Sequence, residues 1–231
     1  METGDRPNLS GSKVEFRPLH EQVRQTLWES LIAGELRPGD RIVESKVAKE
    51  LGVSQSTVRE ALRALEQIGV VTTSPHRGAF VNAITPTDAM EMYSTRALLE
   101  GRAIELAVSR VGPSEIRQLE DLLGQMREAA AAEDLGSLVQ LDVSFHRHIC
   151  EFSGQRLLTR LWSSVDPLGW TMVTGKRLFR HRLQEMVERH EPILKVLREG
   201  DAARARQVIE SHIMDMGREV TSSAEAEVAL L

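Results

Sequence analysis

Asp142 and His146 stand four residues apart in the stretch LDVSFHRHIC, residues 141–150, whose other members are largely apolar. At the period of an α-helix that spacing sets a carboxylate and an imidazole on one face, a turn apart. His148 is rotated about 200° from His146 and points elsewhere. Two later histidines, His190 in ERHEPIL and His212 in IESHIMDM, lie among Ile, Leu and Met and so are expected to face an interior. One carboxylate and three imidazoles from three helices form a mixed oxygen and nitrogen donor set, of the kind that helical bundles use to hold metal ions. The set suits a divalent transition metal, Zn, Ni, Mn, Fe or Co, without choosing among them. Two other readings stay open on these residues: a hydrogen-bonded polar spot in a core, and a catalytic site. A metal-dependent hydrolase would need a carboxylate base beside the ion. Glu151 lies on the opposite helix face from Asp142, Glu191 points about 100° away from His190, and no HExxH motif is present.

Such a donor set needs helices to carry it, and the composition supplies them. The 231 residues are 41% hydrophobic but only 4% aromatic, so any core is built of Leu, Ile, Val, Ala and Met, which suit helices better than a sandwich or barrel. The length allows one large domain or two modest ones. Cys150 is the single cysteine, which excludes an intramolecular disulfide and fits a reducing, cytoplasmic setting. The opening residues METGDRPNLSGSKVEF lack the apolar segment of a secretory signal, and no apolar run is long enough for a membrane span. The charge is uneven. Residues 1–83 hold 11 Lys and Arg against 11 Asp and Glu, whereas residues 84–231 hold 18 against 23. The net charge of −5 therefore resides in the second part, and the first can present a local basic face.

Residues 1–16 read as a flexible polar tail. A helical stripe of Leu19, Val23, Leu27 and Leu31 follows, broken at Gly34 and at the turn pair Pro38-Gly39. Val47, Ala48 and Leu51 form the apolar face of a second helix, which Gly52 ends. Ser54 can cap a third helix, with the stripe Val58, Ala61, Leu62, Leu65 and Ile68. VVTTSPHRGAFVNAI is then a β-hairpin with a tip at His76, Arg77 and Gly78. Helix, helix-turn-helix and hairpin together outline a winged helix-turn-helix over residues 17–84. Its third helix would enter the major groove with Gln55, Ser56, Thr57 and Arg59 nearest the bases. Arg77 and Gly78 would approach the minor groove, and Ser45 the backbone. From Thr85, a helix start with Pro86 and Asp88 behind it, only helical periodicity is seen. Breaks are expected near Gly112-Pro113, residues 134–136, Ser153-Gly154, Asp166-Pro167, Gly175 and Gly200-Asp201. The fold expected is therefore mainly α, with an antiparallel all-helical bundle of about six helices over residues 85–231.

The segment LRPGDRIVESKVAKELGVSQSTVREALRALEQIGVVTTSPHRGAFV resembles the DNA-binding domain of the GntR family of bacterial transcription regulators. The Pro-Gly turn, ELGVS, VREAL and RGAFV fall in order. The family's DNA contacts map to Ser45, Gln55, Ser56, Thr57, Arg59, Arg77 and Gly78, with Gln55-Ser56-Thr57 standing where the family commonly has Arg-Thr-Pro. Residues 90–221 resemble the ligand-sensing FCD domain of the FadR-type branch, in the shorter, VanR-like form. That resemblance implies a metal held by Asp142, His146, His190 and His212, and an effector pocket near Arg96 in RALLE. SGQRLL carries Gln155 where the family commonly has Asn.

The expectations are then a metabolite-responsive regulator, a repressor, that binds two-fold operator DNA as a homodimer and is not an enzyme. A six-coordinate ion with four protein ligands keeps open positions for a small organic acid, whose charge Arg96 can pair. Arg96 and Glu100 are also four apart and could instead pair on a surface. An architectural DNA-binding dimer with a purely structural metal is the alternative.

Overall fold

The computed structural model describes residues 18–74, 77–179 and 182–222. The expected tail at 1–16 and His76 of the wing tip lie outside the described residues. Three helices, α1 (Leu19–Ala33), α2 (Glu44–Leu51) and α3 (Gln55–Gln67), come first, with β1 (Arg41–Ile42) before α2. The strands β2 (Val71–Ser74) and β3 (Gly78–Val81) follow α3. The sheet is antiparallel in the order β1-β3-β2, with Val71 opposite Val81 and Ser74 opposite Gly78. The hairpin is as expected. The third strand is an addition, since Arg41 and Ile42 pair with Phe80 and Ala79 right after the Pro38-Gly39 turn.

Local chemistry accounts for these elements. Ser54 caps α3 by accepting from the Thr57 amide at 3.1 Å, one of the donors the helix start leaves unpaired. Val58, Ala61, Leu62 and Leu65 are fully buried against α1. Two apolar residues depart from their stripes: Leu19 and Leu51 are exposed at the ends of α1 and α2. Ser54→Ala is expected to lower stability by about 1 kcal/mol, measured as a lower urea midpoint with an unchanged slope.

Eight helices make up the second part among the described residues: α4 (Pro86–Ala107), α5 (Pro113–Ala131), α6 (Leu135–Phe152), α7 (Arg156–Ser164), α8 (Pro167–Leu178), α9 (Leu183–Glu188), α10 (Glu191–Glu199) and α11 (Ala202–Ser222). The start at Thr85 is a full capping box, with Asp88 returning a bond of 2.7 Å to the Thr85 amide. Gly175 does not break a helix but lies inside α8. The count is higher than expected because two other breaks occur: α8 ends at Leu178 and α9 begins at Leu183, and at Arg189-His190 α9 gives way to α10, which has Pro192 in its first turn.

The long helices α4 and α11 pack along their length, and α6 lies against α4, α5 and α8. Gly101 permits the close approach of α4 to α11, because a Cβ there would come within 2.4 Å of the Glu210 carboxylate. The layout brings α4, α6, α8, α9, α11 and the junction between α9 and α10 around one polar cavity.

Candidate functional site

His146 on α6, His190 at the N-terminal end of α10 and His212 on α11 each offer a ring nitrogen within 4.8 Å of the other two. The rings of His190 and His212 are 4.6 Å apart, and His146 lies 5.3 and 5.2 Å from them. Each Nδ1 already has an acceptor: Glu100 for His146 at 2.5 Å, the Met186 carbonyl for His190 at 3.0 Å, and the Arg189 carbonyl for His212 at 3.1 Å. An Nδ1–H engaged in this way leaves Nε2 bare in the neutral ring. The three lone pairs are thus free to face one another. Burial, with His190 and His146 alongside, pushes the His212 imidazole well below 6.5 and keeps it neutral.

Asp142, one turn before His146, flanks the trio. Its Oδ1 is 3.1 Å from His190 Nε2, yet that nitrogen has no hydrogen-bond partner. Proximity without a bonding angle is expected when both atoms are acceptors. A lone pair and a carboxylate this close repel unless a cation lies beside them. The donor set therefore fits a divalent metal ion. His148 is half-buried outside the cluster, with its Nδ1 against the Ser144 carbonyl at 2.7 Å.

Arg96 and Glu100 pair at 2.9 Å, not on the surface but in the interior, 3% and 0% exposed. Glu100 accepts from Arg96, from the Trp162 indole at 2.6 Å and from His146. Burial favours its neutral form, but Arg96, His146 and Trp162 outweigh that and hold its carboxyl down to about 2. Arg96 also donates to Thr171 of α8 at 3.1 Å. Arg96, Thr171, Tyr93, Asp142 and the three histidines line one cavity. Its volume, taken as room for the centre of a water molecule, is about 20 Å³, enough for a single ion or water. An open groove of about 590 Å³, lined by Arg204, Gln207 and Ser211 among others, lies beyond and shares Arg189 and His212 with the cavity.

In the first domain, Gln55, Ser56 and Thr57 occupy the first turn of α3, with Gln55 and Ser56 exposed and Thr57 half-buried. Ser45 is exposed in the first turn of α2. Arg59 is exposed but not free, since Glu44 accepts from its guanidinium at 2.7 Å. Arg77 is exposed at the wing turn with its guanidinium over the Phe80 ring, and Gly78 has φ +93°.

Two family models match: the bacterial regulatory proteins of the gntR family over residues 19–81, and the FCD domain over residues 91–215, more than half of the chain. The chain belongs to the GntR family, with an FCD domain. It is a DNA-binding transcription regulator and not an enzyme. The HTH-type transcriptional regulator YdhC of Bacillus subtilis (strain 168) is 29% identical over 197 residues, 84% of this chain and 88% of its own length. A relative from Paenarthrobacter nicotinovorans, described as a probable D-xylose utilization operon transcriptional repressor, is 28% identical over 83% of this chain and 84% of its own. Among solved structures, McbR/YncC of E. coli superposes with a TM-score of 0.72 at 23% identity, over 90% of this chain and 99% of that one, a likeness of fold. No helix among the described residues is long and apolar enough to cross a membrane.

Within this GntR-family fold the histidines and Asp142 converge, as their spacing allowed. Glu100, Trp162 and Thr171 also belong to the site, and sequence reasoning did not place them there. The Arg96–Glu100 spacing held a signal, since the neighbours of both on α4 are apolar.

Proposed function

We propose that the FCD domain is a metal-centred sensor for a small carboxylate and that the protein is a cytoplasmic repressor acting as a homodimer on two-fold operator DNA. The observation that carries the sensing part is the His190 Nε2 lone pair facing the Asp142 carboxylate among two further bare imidazole nitrogens. His146, His190, His212 and Asp142 would hold the ion, which supplies a Lewis-acid centre for a carboxylate oxygen when bound. The outer contacts from Glu100, Met186 and Arg189 set the ring orientations.

Charge supports the choice of effector. Of the side chains that line the cavity, the permanently charged ones are Arg96, Arg189 and Asp142. Two guanidiniums against one carboxylate, with a divalent cation beside them, suit an anionic effector. The cavity's own volume of about 20 Å³ holds an ion but not an organic acid beside it. An acid that reaches the ion therefore extends into the adjoining groove past Arg189 and His212, or spreads the cavity walls, and the displacement of those groups supplies the difference between two states that a regulator needs. The repressor reading draws support from the Paenarthrobacter relative's description. The homodimer follows from how helix-turn-helix proteins read two half-sites.

The test is fluorescence anisotropy of operator DNA selected by the protein from a random pool. Zinc-loaded and chelator-stripped protein are compared across a panel of small organic acids. One acid is expected to change Kd by about 5–150-fold with zinc only. An architectural protein would respond to none of them. In the same assay Arg59→Ala is expected to weaken DNA binding by about 1–3 kcal/mol, and unchanged affinity would remove Arg59 from the interface.

A further inference from the structure

The DNA-binding domain and the sensor domain meet at a buried joint between α1 and α8. Trp28 of α1 is 1% exposed, and its indole N–H donates to Asp166 Oδ2 at 2.7 Å. Arg24 reaches the same oxygen at 2.9 Å. Asp166, 3% exposed, starts α8 with φ +49°, a left-handed conformation rare outside glycine and held only where surroundings over-determine it. The indole rests directly on the backbone of α8: a Cβ at Gly169 would lie 2.1 Å from Trp28. Trp170 meets Trp28 edge to face at 6.3 Å. At the far end of α8, Lys176 donates to the Ile32 carbonyl near the C-terminus of α1 at 2.8 Å, where a cation is favoured. Both ends of α8 are thus tied to the middle and C-terminal part of α1, and α1 in turn packs on the recognition helix α3.

The other side of α8 faces the cavity. Thr171, about 200° around the helix from Gly169, accepts from Arg96, and Thr174 bonds to the Tyr93 hydroxyl at 2.5 Å. A continuous chain of polar contacts runs from His146 to Glu100, Arg96 and Thr171, with separations of 2.5, 2.9 and 3.1 Å. We infer that α8 is the coupling element: Thr171 reads the state of the histidine cavity, and the Trp28–Asp166–Gly169 joint with Lys176 passes it to α1 and the recognition helix. This rests on the cavity being the sensing site. Packed and hydrogen-bonded elements of this kind transmit small shifts as rigid-body movement because they do not deform continuously.

Hydrogen exchange on the full chain, with zinc ion as the probe, tests this. In the wild type, zinc is expected to slow exchange in α6, α8 and α1. In a Trp28→Phe, Lys176→Ala double variant, α6 and α8 should respond as before, while the α1 response falls by about five-fold or more, the lower bound of usual coupling factors. Lys176→Ala alone, an exposed change that leaves the core untouched, should lower it partially and guards against a folding defect in the double variant. A full α1 response in both variants, or a zinc response in α6 and α8 of the wild type that never reaches α1, overturns the coupling while leaving the sensor intact. No response in α6, α8 or α11 at all overturns the sensing site and the coupling with it.

Discussion

Protein carrying His190→Ala keeps its basal affinity for operator DNA and loses its response to metal and acid together. His190 contributes the bare Nε2 beside Asp142 and sits between the rings of His146 and His212. Its removal leaves two imidazoles and a carboxylate, a set that can still ligate a metal, but it takes away the donor that lies between Asp142 and the other two rings, so the ion is held more weakly and displaced from the position the acid must reach. Zinc affinity by isothermal titration should fall by more than the roughly 10–100-fold that loss of an outer hydrogen-bond partner costs. The residues proposed to read DNA lie in the other domain, on α2, α3 and the wing, so basal Kd should stay within a factor of about two. A variant that still responds to acid would remove the histidine cluster from sensing.

Replacing Glu100 by alanine should have the largest effect on stability of any substitution in the site. The carboxylate is fully buried and serves Arg96, His146 and Trp162 at once. Its loss leaves the Arg96 cation, itself 3% exposed, without its hydrogen-bonded partner and with only the more distant Asp142 carboxylate for counter-charge. Breaking a buried pair by removing one partner costs about 3–5 kcal/mol, mostly from the charge left behind. Urea denaturation measures it directly. Glu100→Gln keeps the shape and an acceptor for the indole, so it should recover part of the loss. A cost under about 1 kcal/mol would mean that Arg96 reaches solvent and that its pair with Glu100 is not buried. Both variants should also weaken zinc binding, because Glu100 fixes the tautomer and tilt of His146.

Much of this was legible in the amino-acid order because the relevant signals are local. Ser54, Gly52 and the stripe from Val58 to Leu65 mark the helix-turn-helix by capping and period, and Thr85, Pro86 and Asp88 announce α4. Asp142 and His146 share a helix, so their common face follows from spacing alone. What stayed hidden depends on tertiary contact. Glu100 could be a solvated partner of Arg96 or a buried hub, and only the packing of α4 against α6 and α7 decides between them. The Trp28–Asp166 bond spans 138 residues, and no periodicity connects its ends. Gly175 misled because an isolated glycine often ends a helix, whereas here it lies within α8, a Cβ's ordinary contact distance from Val139 and Leu135.

Anomalous diffraction at the zinc edge, from crystals of the full chain grown with zinc and a small dicarboxylate such as succinate, probes the sensing cavity most directly. The expected result is one peak per chain bounded by His146, His190, His212 and Asp142, with a carboxylate completing the coordination on the side of Arg96. A peak elsewhere, no peak, or an ion whose every position is filled by protein groups would contradict a metal-centred sensor.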